Sequence, residues 1–152
     1  MVRYAFYDSP LGRLQIGCHM DTVTSICLTD TVPISNDPSP LTDLVYAQLM
    51  EYFSGTRKCF DFSINPDGTA FQRLVWHALL QIPYGQTRTY GQIAAMIGKP
   101  HAARAVGSAC NRNPIWIVIP CHRVIGQDKR LTGYAGGLDR KESLLILEQS
   151  HK

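Results

Sequence analysis

Residues 89–110 read TYGQIAAMIGKPHAARAVGSAC, and the two short helical patterns in this stretch decide the architecture of the chain. Thr89 and Gln92 form a capping-box pair, in which the Thr hydroxyl and the Gln side chain satisfy the free N–H groups of a helix start. That helix is expected to run to about Ile97, with Gly98 supplying its stop. Pro100 stands where the first turn of a second helix would begin, continuing to about Cys110. Two short helices joined by a three-residue, glycine-containing break have the outline of a helix-turn-helix. The second is almost bare: Ala102, Ala103, Ala105, Gly107, Ser108 and Ala109 leave side-chain bulk only at Arg104 and Val106. Tight helix–helix packing demands such smallness, and so does a helix pressed against a DNA backbone. In the second case Arg104 is the single long side chain projecting from a flat surface.

Upstream, Phe71, Leu74, Val75, Ala78, Leu79 and Ile82 keep helical spacing over three turns, and Pro83-Tyr84-Gly85 closes that helix. The first sixty residues alternate instead. Val2–Tyr7 and Leu14–Cys18 flank the turn 8–12 as a hairpin, Val23–Leu28 supplies a third strand and Phe60–Ile64 a last one. Thr31–Pro40, with three prolines and an Asn36-Asp37 pair, is a loop. Leu41–Phe53 is a helix ended by Ser54-Gly55. Asn65–Thr69, holding Pro66 and Gly68, is the natural boundary. It divides the chain into an N-terminal α+β domain, residues 1–66, and a mainly helical C-terminal domain, residues 67–152.

A composition of 45% apolar and 18% charged residues over 152 positions belongs to a folded protein and excludes disorder. The start MVRYAFYDSP has no apolar run suited to a signal sequence and no segment approaches a membrane span, so a cytoplasmic protein with no membrane partner is expected. Five cysteines form no CxxC pair and read as mostly buried, unpaired thiols. Cys18, His19 and Cys27 could be gathered around zinc, but their spacing fits no standard site, so neither metal nor cofactor is expected. Charge is unevenly placed: residues 1–70 hold 4 basic and 8 acidic side chains, residues 71–152 hold 11 and 4. A basic second half suits a polyanionic partner, although a merely solvated surface would carry the same charge.

The chemistry gathers late in the chain. Ile115–Ile119 reads as a buried strand ending at Pro120, and Cys121 and His122 follow directly. A thiol at a strand end beside an imidazole is a candidate activated nucleophile, because the thiolate is the reactive form and its proton needs an acceptor. Sequence adjacency alone is weak support, since neighbouring strand residues point to opposite faces. Within Asp139–Gln149, Leu144, Leu145 and Glu148 share a helix face, which places Glu148 among buried groups. A buried carboxylate needs a partner; His122 is one, and a frayed, exposed helix end is the alternative.

The run Pro120-Cys121-His122-Arg123-Val124, preceded by Asn113-Pro114 and followed by Gly133-Tyr134-Ala135-Gly136-Gly137-Leu138, closely resembles the O6-alkylguanine-DNA alkyltransferases. The likeness continues through Tyr90-Gly91-Gln92-Ile93-Ala94, Ala102–Gly107 and Phe71–Trp76, and more weakly through Ser9–Leu14. It covers residues 70–149 densely and the N-terminal half loosely. The resemblance implies a ribonuclease-H-like N-terminal domain and a C-terminal domain with a winged-helix-like helix-turn-helix, acting as a monomer on the minor groove of double-stranded DNA containing O6-alkylguanine. It implies that Cys121 takes the alkyl group, that a water relays its proton to His122, and that Glu148 holds His122. Arg104 would fill the gap left by the extruded base, with Gln92, Ala102, Ala103 and Gly107 on the DNA-facing surface. Tyr90 would donate to guanine N3, the Ala135 N–H would face O6 beside Tyr134, and the carbonyls of Cys121 and Val124 would accept from the exocyclic amine. Asn113 would link the helix-turn-helix to the active-site turn. Trp116 departs from the common pattern, in which a small residue or proline lines the alkyl pocket; its bulk would narrow that pocket, or it is a core aromatic.

Three other functions compete. A non-enzymatic binder of alkylated DNA with the same fold would lack the reactive cysteine that this chain keeps. A thiol hydrolase using Cys121 and His122 leaves the basic helix-turn-helix half unexplained, and a transcription regulator is the third, since helix-turn-helix units are common there.

Overall fold

Alternating burial builds the first part of the chain. In the computed structural model, which describes residues 1–128 and 133–152, strands β1 (Arg3–Ser9), β2 (Gly12–His19) and β3 (Thr22–Thr29) form an antiparallel sheet in the order β1-β2-β3. On β2, Leu14, Ile16 and Cys18 face the core two residues apart. On β3 the buried residues are Val23, Ile26 and Leu28, and the step of three has a cause. Gly17 pairs with Ser25 but Cys18 with Val23, so Thr24 is an extra residue that resets the register. The β1–β2 turn is tighter than the sequence suggests: pairing runs to Ser9 and Gly12 and leaves only Pro10 and Leu11 at the tip.

Helix α1 (Pro40–Phe53) begins inside the expected loop, because Ser39 and Thr42 form a capping box and Pro40 suits a first turn. Its stripe of Thr42, Val45, Gln48, Leu49 and Tyr52 is buried. The expected strand at Phe60–Ile64 is not formed: Ile64 makes one isolated parallel bridge to Val23. The chain divides into two compact units, Met1–Asp67 with Pro114–Trp116, and Gly68–Asn113 with Ile117–Lys152. Pro114–Trp116 belong to the first unit through the Ile26–Ile115 bridge and the bond from Trp116 N–H to the Ile26 carbonyl.

The second unit is mainly helical. Helix α2 (Ala70–Leu79), capped by Thr69 and Gln72, ends a turn earlier than its apolar spacing predicts. Its buried face is rotated toward Trp76, whose Nε1 donates to the Ala109 carbonyl at 2.9 Å, while Leu74 is exposed. Burying the larger indole, with its N–H paired, outweighs burying the leucine. Helix α3 (Tyr90–Met96) starts as expected, with both capping-box bonds between Thr89 and Gln92 present. Helix α4 (Ala103–Asn111) starts three residues after Pro100, on Ala102, which offers no side-chain cap. The break between the two helices is therefore longer than the sequence reading allows.

Two further elements frame the site. Strands β4 (Arg88–Thr89) and β5 (Val124–Ile125) pair in parallel, tying the residue before α3 to the segment after Cys121. Helix α5 (Leu138–His151) closes the unit and buries Lys141, Leu144 and Glu148 along one stripe; the neighbouring Ile146 is exposed, so the helix is not covered all round.

Candidate alkyl-transfer site

The strand expected before Cys121 is absent. Ile115, Ile117 and Ile119 are buried and alternate as in a strand, but Ile117 has a φ of 74° and turns the chain back. A β-branched residue rarely adopts that conformation. Asn113 holds the resulting loop: its Nδ2 donates to the Ile119 carbonyl at 2.8 Å and to Cys121 Sγ at 3.2 Å. Cys121, His122 and Arg123 then form a single 3-10 turn. With three residues per turn, successive side chains point about 120° apart, so one short segment sends three functional groups in three directions.

His122 is wholly buried, and its Nε2 lies 2.7 Å from Glu148 Oε2. A carboxylate only accepts, so Nε2 carries the proton and Nδ1 is left with its lone pair. That Nδ1 is buried and meets no hydrogen-bond partner among the described residues. Burial, the largest influence, lowers the His122 pKa and outweighs the lift from Glu148; Arg123 and Lys141 lower it further. The imidazole is a neutral base. Burial alone would raise the Glu148 carboxyl, but the hydrogen bonds from His122 and Arg123, with the Arg123 charge, hold it well below the usual carboxylate range. Arg123 grips Glu148 with two nitrogens, Nε to Oε1 at 2.8 Å and Nη2 to Oε2 at 3.0 Å, and its Nη1 donates to the Ile82 carbonyl. Gly85 N–H donates to Glu148 Oε1 at 3.1 Å.

Cys121 is 4% exposed, and burial pushes its thiol up to about 11 against the opposing pull of Asn113 and Lys141. At pH 7 only about one molecule in ten thousand would hold the anion. The sulfur is therefore a protonated nucleophile that must lose its proton as it reacts. Tyr134 is buried beside it, its hydroxyl pKa held well above the ordinary value by burial and by the sulfur's charge. Ala135 is exposed in the turn that the Gly137 N–H closes onto the Tyr134 carbonyl. The Cys121 carbonyl accepts from Val124 N–H, and the Val124 carbonyl from Lys141 Nζ at 2.6 Å; each oxygen keeps a second lone pair.

An open groove of about 760 Å³ runs along α3 and α4, lined by Tyr90, Gln92, Ala103, Arg104 and Gly107 and, from the turn after β5, Gln127. The half-buried Tyr90 ring rests on Gly107, where an added Cβ would come within 3.7 Å of it. Arg104 is exposed, and Gln92 spends its carbonyl oxygen on the Thr89 N–H. Ala102 is the half-buried cap residue of α4. Trp116, half-buried, lies with the first unit.

A family model described as 6-O-methylguanine DNA methyltransferase, DNA binding domain, matches residues 70–150, and one described as 6-O-methylguanine DNA methyltransferase, ribonuclease-like domain, matches residues 2–66. The chain belongs to the 6-O-methylguanine DNA methyltransferase family. It is similar to the methylated-DNA–protein-cysteine methyltransferase of Mycobacterium bovis, 48% identical over 99% of this chain and 94% of that protein. The protein of the same name from Methanosarcina barkeri is 64% identical over 104 residues, 68% of this chain and 66% of that protein, so the match spans just under two thirds of its length. A crystal structure of Mycobacterium tuberculosis OGT in complex with DNA matches with a TM-score of 0.91 at 46% identity, covering 98% of this chain and 94% of that one.

Sequence reasoning missed two charged residues of this methyltransferase-family site. Arg123 sits in the quoted motif, but a strand ending at Pro120 gives it no direction; only the 3-10 turn aims it at Glu148. Lys141 was legible from spacing, since Lys141, Leu144 and Glu148 fall at i, i+3 and i+7 on one helix stripe. A lysine on an apolar stripe is a signal that the face has polar work to do.

Proposed function

We propose that the protein repairs DNA by direct, irreversible transfer of an alkyl group, a methyl above all, from O6 of guanine to Cys121. The observation that carries this reading is a buried thiol and a neutral imidazole held on one turn by Asn113, Glu148 and Arg123. Cys121 Sγ attacks the methyl carbon, the carbon–O6 bond breaks, and the electron pair leaves on guanine. The thiol proton passes through a water to His122 Nδ1, while Glu148 stabilises the imidazolium that forms. Tyr90 donates to guanine N3 and offsets the charge that develops on the leaving base. The product is a thioether that no nearby group can hydrolyse, so each molecule acts once.

On this reading residues 67–152 form the DNA-binding and transfer domain and residues 1–66 its companion. The protein acts as a monomer, in the cytoplasm, on the minor groove of duplex DNA. No helix among the described residues is long and apolar enough to cross a membrane. The base reaches Cys121 by leaving the stack, which costs a few kcal/mol; Arg104, exposed at the edge of the groove, takes its place.

Incubation with duplex DNA bearing O6-methylguanine should add one methylene to the Cys121 peptide, in a one-to-one ratio with repaired guanine, as read by mass spectrometry. Tight binding with no mass change would instead make the protein a lesion binder. Arg104→Ala should weaken binding to the lesion duplex about tenfold, the worth of one stacking contact, and leave reaction with free O6-methylguanine unchanged. Equal losses on both substrates would remove the gap-filling role.

A further inference from the structure

The turn that follows α2 packs on Arg123 and Glu148. The Ile82 carbonyl accepts from Arg123 Nη1 at 2.8 Å, and the Arg123 guanidinium carbon sits over the Tyr84 ring, 5.6 Å from its centre. The Gly85 N–H donates to Glu148 Oε1 at 3.1 Å from a φ of 77°, a conformation glycine enters at little cost. Gln149, the residue after Glu148 on α5, holds the same turn: its Nε2 donates to the Gly85 carbonyl at 2.8 Å. Four donors thus meet the carboxylate, Arg123 Nε and Gly85 N–H on Oε1, Arg123 Nη2 and His122 Nε2 on Oε2. Two oxygens accept about four bonds, and losing the one from Gly85 would free Oε1 to turn and carry Oε2 off the imidazole. The transfer chemistry above uses neither Tyr84 nor Gln149.

We propose that Tyr84 and Gln149 are positioning residues for alkyl transfer, clamping the turn 82–85 over Glu148 so that the carboxylate meets His122 in a site closed to water. They reach the imidazole only through Arg123 and Glu148. This rests on the alkyl-transfer reading and deepens it.

The electrostatics run in the matching direction. A guanidinium is drawn to an aromatic face, most strongly where water is excluded. Burial raises the Tyr84 hydroxyl, Glu148 raises it further and Arg123 opposes the rise, which places the residue beside both charges. The charged groups that act on His122 are Glu148 and Lys141 of α5 and Arg123 of its own turn. Helix α2, which also packs on that turn, carries its ionisable Arg73 and His77 on the exposed side. Water admitted beside Glu148 would weaken both the burial that lowers the imidazole and the pairing that lifts it. Burial is the larger influence, so the net movement is upward. A protonated imidazole cannot take the thiol proton, so the change is read at mildly acidic pH.

Gln149→Met keeps the length of the side chain and removes the donor, and because Gln149 is exposed the fold should survive. Tyr84→Leu removes the ring, and Tyr84→Phe keeps it. In the DNA-free protein the His122 ring is titrated by NMR. Its midpoint should rise toward the ordinary imidazole value of about 6.5 in Gln149→Met and Tyr84→Leu, and stay at the native position in Tyr84→Phe. Methyl transfer from lesion duplex by Tyr84→Leu should then be about fourfold slower at pH 6 than at pH 8, a steeper fall than the native protein's, with gel-shift affinity unchanged. An unmoved titration in either Gln149→Met or Tyr84→Leu overturns the proposal even where transfer is slower, because a merely structural residue would give that result. So does a shift in Tyr84→Phe as large as in Tyr84→Leu. Should Tyr84→Leu fail to fold, Gln149→Met decides the matter alone. Failure of the native protein to accept any methyl group sinks the alkyl-transfer reading itself, whereas the NMR titration uses no DNA and answers for the turn.

Discussion

Cys121→Ser is expected to accept no detectable methyl group from lesion DNA, a loss of at least about a thousandfold, while binding the same duplex as the native protein does. Both halves follow from the geometry. The sulfur is already a reluctant acid, raised to about 11 by burial, and the site compensates only as far as a thiol needs. An alcohol is a far weaker acid and a poorer nucleophile toward saturated carbon, so the same base leaves it inert. Binding draws on other atoms: the groove along α3 and α4 is lined by Tyr90, Arg104 and their neighbours and does not include Cys121. A hydroxyl still accepts from Asn113 Nδ2, which now donates to the sulfur at 3.2 Å, so the turn should keep its shape. Time courses with DNA labelled at the methyl group, run beside a gel-shift titration, separate the two effects. Label appearing on Cys110 or Cys59 of the variant would show that the acceptor had been misassigned.

The order of elements was legible because local signals coincide with tertiary need. Thr89 and Gln92 cap α3 as their types demand, and the β-hairpin alternation survives because one face of β2 is buried. Where the sequence misleads, a long-range contact wins. Trp76 turns α2 toward the Ala109 carbonyl, and Ser39 with Thr42 starts α1 inside an apparent loop, since a threonine in the third position does the work usually given to glutamate or glutamine. The stretch Ile115–Ile119 has the residues of a strand, yet the left-handed turn at Ile117 and the two bonds from Asn113 make it a loop. That difference matters for the site. A strand would have sent Cys121 and His122 to opposite faces, whereas the 3-10 turn gives Cys121, His122 and Arg123 three separate directions and brings His122 and Arg123 onto Glu148. Pairwise reasoning from the sequence reached Cys121, His122 and Glu148 but not the cation on Glu148, because a salt bridge between residues 25 apart has no local signature.

Glu148→Gln should cost about 3–5 kcal/mol of folding stability at pH 7, because it leaves the Arg123 charge buried without its anion. Arg123 is 7% exposed and Glu148 fully buried, so water cannot screen what the substitution uncovers. For a chain of this size that corresponds to a fall in Tm of roughly 6–20 °C. Alkyl transfer should fall as well, since the amide no longer stabilises the imidazolium that forms on His122. The same network sets the pH dependence of the native protein. Glu148 has a folded pKa below its unfolded value of about 4.3, so its contribution is complete above that value and is lost as acid protonates the folded carboxylate. His122 has a folded pKa below its unfolded value of about 6.5, so the unfolded chain takes up a proton first and stability begins to decline there. Both groups act with one sign: the urea midpoint should be flat near neutrality and drop through the mildly acidic range, then more steeply once Glu148 titrates. Glu148→Gln should start lower and lose the steep acid limb. A variant as stable as the native protein at pH 7, or one that keeps that limb, would show that Glu148 does not hold the site together.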